Sequence, residues 1–540
     1  MMKNDFKDTL NFILEEMKMV YKNDNRPWII GYSGGKDSTV VVQLAFKMLE
    51  SLPEEERHKH IYIVSSDTLI ENPIVLGYLQ ANYNAINEYV KDTSLPISSH
   101  MVYPKYNNTF WTNIIGKGLP TPTSIRFRWC TERLKIQPSN DFIETKVKES
   151  GEVVLLLGVR KTESIARKNR IEKREIEGYL FTPHNTINNT YVYNPIVELT
   201  TDEVWKILLS DNGVTPWGTN NNDLQDLYMG SDGGECPFTI TKNAKGQVDT
   251  PSCGNSRFGC WSCTVVKEDK SLTGFIKNGE EWLQPLLDFR NWLLSIRDKH
   301  EYRRQYRRDG NHYYKKLLLD DLPINYNLEL NKNYIFNEGN KEYIDLRNSA
   351  NDIQEGSKES SDKEKIYLEL LPLIDNYKID PSKVFESDKG SYINVLGYGP
   401  FNFKARKEIL QKLLETQKEM DKYIDFPLIT IQELEVIDKI WDDEEDLTCR
   451  SLVDIYYNIL RKKLPWHDFK KPIFDDETLF NIKDLNKQFN LPDNLISTLL
   501  IETNKNKHFT NKTVLDKSIS KILNQKHLHK SIVEEIENDN

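Results

Sequence analysis

The residues Ser33-Gly34-Gly35-Lys36-Asp37-Ser38 stand between an apolar run, WIIGY, and a stretch with helical spacing, STVVVQLAFKML. Glycines let a backbone approach a ligand closely, amides at a helix start point at an anion, and Lys36 adds a fixed cation. Residues of these types in this order make a phosphate cradle, where a plain strand-to-helix turn would need neither the lysine nor the paired glycines. The spacing differs from the G-x-x-x-x-G-K-[ST] phosphate loop. A second candidate is Ser65-Ser66-Asp67-Thr68, with Glu71 close behind, at the end of the β-rich run IYIV. A carboxylate there can orient a substrate or Mg²⁺, or it can simply cap the next helix. Cys130 has Arg126, Arg128 and Arg133 around it, a set expected to bind phosphate or sulfate and to lower the thiol pKa; an exposed cationic helix start is the alternative. Four of the six cysteines, Cys236, Cys253, Cys260 and Cys263, fall in one stretch, and the last two form a C-x-x-C that grips one metal centre through neighbouring thiolates. Such clustering in a long chain reads as metal or redox chemistry in a reducing compartment, not as a disulfide framework. Four thiolates suit zinc as well as an iron–sulfur cluster.

Placing these groups together requires strands that end on one edge. Phe6, Leu10, Ile13, Leu14, Met17 and Val20 predict an amphipathic helix over residues 1–22. The runs WIIGY, IYIVSSDTLI and EVVLLLGVR, alternating with helical stretches, predict an α/β fold with a mostly parallel sheet and the chemistry at the strand C-termini. At 540 residues the chain allows three or four folding units. The boundaries read as a first domain over 1–230, the cysteine segment over 231–270, a helical basic region over 271–348, a polar linker over 349–365 and a helical C-terminal module over 366–540. Cys449, alone in that last module, reads as structural. The balance of 72 basic against 82 acidic residues, net −10, disfavours indiscriminate binding to nucleic acid, so any polyanion contact must be local. No apolar run reaches the length of a membrane span and the N-terminus lacks a signal-peptide core, which predicts a cytoplasmic protein without membrane partners.

The glycine–lysine loop resembles that of the PP-loop ATP pyrophosphatases, of the adenine nucleotide alpha hydrolase-like fold, which split ATP into AMP and pyrophosphate while adenylating a substrate. That resemblance implies that Ser33, Gly34, Gly35, Lys36, Asp37 and Ser38 hold the pyrophosphate end of ATP, with Mg²⁺, and that Asp67 helps position them. Cys130, Arg133, Lys135 and Pro138, followed by Gly158-x-Arg160-x-x-x-Ser164, are similar in kind and order to elements of the phosphoadenosine-phosphosulfate and adenosine-phosphosulfate reductases. Iron-bound members of that group end in a similar C-x-x-C and take further ligands from a Cys-Cys, where this chain has Trp129-Cys130. The resemblance implies a [4Fe–4S] cluster held by four of Cys130, Cys236, Cys253, Cys260 and Cys263, with zinc as the lesser alternative. Which four is open. The reductases' C-terminal Glu-Cys-Gly-x-His is not found here, which argues against assimilatory sulfate reduction.

The order SGGKDS, SSDTLIENP, FRWCTERLK, GVRKTES and CGNSRFGCWSCT resembles most closely the DndC-type sulfurtransferases of DNA phosphorothioation systems, densely over residues 25–300. This implies DNA as substrate, a cysteine desulfurase as sulfur donor and companion proteins of a DNA modification complex. A DNA phosphate oxygen would attack the α-phosphorus of ATP, and sulfur, carried by the cluster or by a thiol such as Cys130, would replace the activated oxygen. Lys36, Asp37, Asp67, Cys130, Arg133 and Arg160 are the expected catalytic residues. The run RDKHEYRRQYRRDGNHYYKK, residues 297–316, mixes basic and aromatic side chains and is a candidate DNA contact, or else a solvated helix. Thiolation of a tRNA base by the same adenylation, and a redox-sensing DNA-binding scaffold with a vestigial nucleotide site, are the competing readings.

Overall fold

A computed structural model describes residues 2–123, 128–176, 178–231, 258–304, 306–308, 311, 314–318, 392–472, 474, 476–489, 491, 495–506 and 512–524. Cys236, Cys253, Arg126 and the linker 349–365 lie outside them. Contacts divide the chain into two compact units. Unit 1 comprises Met1–Phe110, Pro122–Asn291 and Thr416–Ile429; unit 2 comprises Trp111–Thr121, Trp292–Glu415 and Thr430–Asn540. Among the described residues no helix is long and apolar enough to cross a membrane.

Unit 1 is built on a six-stranded sheet. Helix α1 (Met2–Lys22) leads into β1 (Trp28–Gly31), followed by α2 (Lys36–Glu50), β2 (Ile61–Ser66), α3 (Pro73–Thr93) and β3 (Ile97–Val102). After them come a short helix α4 (Trp129–Thr131), a π-helical turn (Glu132–Ile136), α5 (Gln137–Ser150) and β4 (Val153–Leu156). The chain continues through α6 (Ile165–Glu172), β5 (Thr182–Pro183), β6 (Thr190–Tyr193), α7 (Thr201–Leu208) and α8 (Asn221–Gly230). The strand order is β3-β2-β1-β4-β6-β5, parallel throughout except for the β5–β6 pair. Strands buried on both faces need continuous apolar sequence, and β4, Val-Val-Leu-Leu, is buried at all four positions. Leu156 is fully buried, so truncating it to alanine should cost about 2–5 kcal/mol. One face carries the cluster Ile29, Val64, Ile143, Val153, Leu155 and Ile187, against which Phe142 and Val147 of α5 pack. On α2, twelve of fifteen residues are buried, which explains the run of valines and leucines behind the glycine loop.

The chain leaves β1 towards β2 and β3 on one side and returns with β4 on the other. β1 and β4 are therefore neighbours whose connections diverge, the place where open α/β sheets hold ligands. The loop Gly31–Gly35 follows β1 and the Gly158–Ser164 loop follows β4. The expected mostly parallel sheet is what the fold contains, and helices over 403–523 bear out a helical C-terminal region.

Unit 2 uses much of the basic run internally. The run is not a continuous helix. Its described residues include a 3₁₀ turn at His300–Tyr302 and the start of strand Tyr314–Leu318, antiparallel to Tyr392–Leu396. Arg303 is buried and donates to the carbonyls of Gly399 (2.7 Å), Arg297 (2.5 Å) and Tyr398 (3.4 Å). Arg304 pairs with Glu445 and Arg308 with Glu444. Buried Arg406 also pairs with Glu445 (2.7 Å) and donates to Ile115 O (2.8 Å), while Trp441 Nε1 donates to the same carbonyl (2.8 Å). Three arginines of the candidate DNA contact thus have structural partners, because carbonyls and carboxylates that fold beside them are invisible in a linear charge count.

Candidate functional site

The glycine loop is closed by its own ends. Ser33 N–H donates to Ser38 Oγ (3.2 Å), the two hydroxyls are 3.1 Å apart, and Ser38 Oγ donates to Gly35 O (2.9 Å). Gly34 has φ +71°, a conformation that strains any residue with a Cβ. Helix α2 begins at Gly35 with no side-chain cap, which leaves the positive end of its dipole to favour an anion.

Behind the loop a chain of charges fixes the lysine. Lys36 is buried, with Nζ 3.8 Å from Asp37 Oδ2 and 5.1 Å from the centroid of the Tyr228 ring. Asp37 Oδ1 accepts from Arg160 Nε at 2.6 Å. Arg160 is fully buried, and its Nη1 donates to Thr162 Oγ1 (2.9 Å), Thr201 Oγ1 (3.2 Å) and Leu199 O (3.3 Å). Thr200 and Glu203 form a capping box that sets the start of α7 here. Arg160 therefore holds Asp37, which in turn holds Lys36. Gly158 makes that closeness possible: a Cβ there would stand 2.7 Å from Asp37 C and O and 2.8 Å from Ser38 N.

A cavity of about 490 Å³ opens over the loop, with Ser33, Lys36, Glu71, Lys135, Tyr228 and Phe258 in its wall. Asp67 is not among the lining residues; its Oδ1 accepts from Leu69 N–H (2.8 Å) in a turn where Leu69 has φ +64°. Asn72 caps α3, so helix capping is not what Asp67 does. Burial pushes the Asp67 carboxyl up against the pull of the Leu69 amide. The carboxylate that follows β2 into the cavity is Glu71, whose Oε1 accepts from Thr68 Oγ1 (2.9 Å) and pairs with Lys135 Nζ (2.9 Å). Burial works against the Lys135 ammonium, but Glu71 and Cys260 outweigh it and hold the pKa above its usual value.

The cysteines adjoin this wall. Cys260 forms a β-bridge with Glu71, Trp261 N–H donates to Ile70 O (3.1 Å), and Cys260 Sγ lies 3.7 Å from Thr68 Oγ1. The C-x-x-C turn closes with Cys263 N–H to Cys260 O (3.0 Å), and buried Arg290 pins it by donating to Cys263 O (2.8 Å) and Lys267 O (2.9 Å). Cys130, on α4, is near enough to Cys263 for that neighbour to disfavour its ionisation. The expected low thiol pKa is corrected here. Burial, then Cys263, pushes Cys130 up, and Arg128 offsets this only weakly; burial, then Glu71, pushes Cys260 up as well. Among the described residues no group of three or more His, Cys, Asp or Glu side chains could hold a metal ion. Of the four described thiols, Cys130, Cys260 and Cys263 belong to unit 1 and neighbour one another, and Cys449 belongs to unit 2. Cys130, Cys260 and Cys263 are each partly exposed, and Cys236 and Cys253, on which the expected cluster also draws, lie outside the described residues.

Sequence reasoning missed Tyr228, Phe258 and the wall positions of Glu71 and Lys135. Tyr228, whose OH accepts from Lys36 N–H (3.3 Å), is 192 residues away in sequence and carries no local motif. Arg133 was expected at the centre but lines a different cavity, of about 300 Å³. The π-helical turn accounts for this: Leu134 is buried, and its neighbours Arg133 and Lys135 line separate cavities.

Residues 27–265 match the phosphoadenosine phosphosulfate reductase domain family, a stretch that contains the loop, both arginine elements and the C-x-x-C. The chain is similar to an uncharacterized protein of Methanocaldococcus jannaschii, 27% identical over 200 residues that cover 36% of this chain and 34% of that protein. A second from the same organism is 27% identical over 206 residues, covering 38% and 41%. The chain thus spans well under half the length of these curated relatives. Among solved structures it is similar to a phosphoadenylyl-sulfate reductase of Candida auris in its phosphate complex, with 13% identity, 38% and 78% of the two chains covered and a TM-score of 0.23. It is also similar to a tRNA thiolase of Methanococcus maripaludis carrying a [4Fe–4S] cluster, with 16% identity, 41% and 71% covered and a TM-score of 0.27.

Proposed function

We propose that this chain is an ATP-dependent sulfurtransferase that adenylates a DNA backbone phosphate and exchanges one non-bridging oxygen for sulfur. One observation carries the reading: Glu71 lines the cavity over the phosphate loop and is the bridge partner of Cys260, so sulfur chemistry and phosphate chemistry share a wall. ATP, with Mg²⁺, lies over Ser33–Ser38, its phosphates facing the start of α2 and Lys36. Asp37 and Arg160 keep Lys36 in place, and Lys135 brings a second cation to the charge that develops at the α-phosphorus. A DNA phosphate oxygen attacks that phosphorus and pyrophosphate leaves. A thiol reduces the persulfide borne by a cysteine desulfurase, releasing hydrosulfide as a disulfide forms, and the hydrosulfide makes a P–S bond as the P–O bond to AMP breaks. A [4Fe–4S] cluster held by Cys130, Cys260 and Cys263, with Cys236 or Cys253, would supply Lewis-acidic iron beside the cavity. The motif order supports DNA as the acceptor, with companion proteins of a modification complex.

The test is mass spectrometry of nuclease-digested nucleic acid from cells with the intact gene, without it, or with Lys36→Ala. A sulfur-containing DNA dinucleotide present only with the intact gene supports the proposal. Sulfur confined to RNA nucleosides would mean tRNA thiolation, and in-cell function that survives Lys36→Ala would mean a scaffold.

A further inference from the structure

The cavity of about 300 Å³ that Arg133 lines belongs to no step described so far. It opens at the C-terminal end of β3, walled by Tyr103, Lys105, Asn108, Arg133, Gln137 and Phe142. It adjoins the phosphate site, because Val102 O accepts the N–H of Asp67 (3.0 Å) and one π-helical turn serves both cavities, Arg133 on one and Lys135 on the other. Ser66 Oγ, at the end of β2, donates to Leu134 O (3.2 Å) and ties that turn to the sheet.

Its chemistry is specific. Tyr103 is 52% exposed, and Tyr106, in the 3₁₀ turn beside it, is 45% exposed. Large rings left in water beside a concave site are stacking platforms, and every nucleobase offers a face to them. Amide groups stand at the wall, with Asn108 Nδ2 donating to Gln137 Oε1 (3.5 Å), and such groups can read a base edge. The Arg133 guanidinium sits 5.5 Å from the centroid of the Trp129 ring, which itself stacks on Phe110 at 5.7 Å and 20°. A guanidinium braced in this way suits a phosphate. Lys105 and Asp141 pair at 3.0 Å, so the acid at the rim is already matched.

We infer that this second cavity receives an unpaired nucleobase of the acceptor strand, stacked on Tyr103, with Arg133 on its backbone, so that the neighbouring phosphate is presented to the ATP site. The inference rests on the proposal of a DNA acceptor and adds that the strand is held with a base out of the duplex stack. The cost of unstacking is met by the Tyr103 face.

The experiment uses the full chain and a fluorescein-labelled single-stranded oligodeoxynucleotide, with binding read by anisotropy at fixed salt. Base stacking on one aromatic contributes about 1–3 kcal/mol, so Tyr103→Ala should weaken binding by about 5- to 150-fold. Tyr103→Phe, which keeps the ring, should stay within about twofold of the parent. ATP binding by calorimetry should be the same in all three proteins. An oligonucleotide with abasic positions should bind the parent about as weakly as the intact one binds Tyr103→Ala. Unchanged affinity in Tyr103→Ala, an equal loss in Tyr103→Phe, or full affinity for the abasic strand each overturns the inference while leaving the DNA acceptor standing. A parent protein that binds RNA but no DNA overturns both.

Discussion

Gly158 offers the sharpest perturbation of the phosphate loop, because a side chain there would press on the loop's own backbone. A methyl group at this position would lie 2.7 Å from Asp37 C and O and 2.8 Å from Ser38 N, all backbone atoms that no side-chain rotation can clear. Ordinary contact begins near 3.4 Å, so the loop after β4 and the phosphate loop must separate by about 3.4 − 2.7 = 0.7 Å. The Arg160–Asp37 hydrogen bond of 2.6 Å spans that same gap and would lengthen with it, releasing Lys36. Misplacement of a catalytic group by about 1 Å costs roughly 100-fold, so Gly158→Ala should reduce pyrophosphate release from ATP by about 10- to 100-fold. Overpacking should lower stability by only about 1–3 kcal/mol, leaving a folded protein to assay. The control is Gly77→Ala within α3, where an added Cβ meets nothing within 4 Å and should be neutral or stabilising by about 0.5–1 kcal/mol. Pyrophosphate release by Gly158→Ala at the parental rate, with urea unfolding showing a native fold, would refute the argument that the two loops are held in register by that contact.

Four further outcomes follow from the same geometry. Lys36→Ala should reduce pyrophosphate release by about 100- to 1,000-fold, measured with an enzyme-coupled phosphate assay; a change below tenfold contradicts its placement at the phosphates. Arg160→Ala leaves Asp37 without its buried partner and should cost about 3–5 kcal/mol in urea unfolding, whereas a loss under 1 kcal/mol would mean the pair is incidental. Arg304→Ala should destabilise the protein through Glu445, with the affinity for an oligodeoxynucleotide nearly unchanged; the reverse pattern would restore the basic run as a DNA contact. His60 and His100 both hydrogen-bond to Ser98 Oγ, at 2.7 and 2.8 Å. Burial first, then His100 and Lys146, holds His60 below the ordinary histidine value, and burial with Lys146 does the same for His100. The unfolded chain thus binds protons that the folded chain refuses. Stability is full above about pH 6.5 and declines as pH falls through the folded values, and a His60→Gln, His100→Gln double variant should flatten that decline in thermal melts.

What the sequence disclosed were the features carried by contiguous residues. The strand Trp28–Gly31, its glycine loop and the valine-rich α2 are one unbroken pattern, so the cradle and its place at a strand end could be read directly. The parallel sheet was legible for the same reason, its central strands β1 and β4 being short apolar runs. Residues delivered from elsewhere were not legible. Tyr228 reaches Lys36 from a helix without a motif, and Glu71 differs from Asp67 only in which of two neighbouring turns faces the cavity. Arg133 and Lys135 are two residues apart, and only the π-helical turn sends them to separate cavities. The internal partners of the basic run were not legible because Glu444 and Glu445, which neutralise two of its arginines, lie more than 130 residues downstream. The thiol pKa of Cys130 was misjudged on similar grounds: adjacent arginines in sequence imply a cationic pocket, but burial and Cys263 dominate.

The account turns on where ATP is cut. Incubating the full chain with Mg²⁺, DNA, sulfide and ATP carrying ³²P at the α-position or, in a parallel reaction, at the γ-position, and separating the products on a thin-layer plate, tests this directly. AMP and pyrophosphate in equal amounts, abolished by Lys36→Ala, are the predicted products. Label recovered as ADP with free phosphate would place the attack at the γ-phosphorus and contradict the claim.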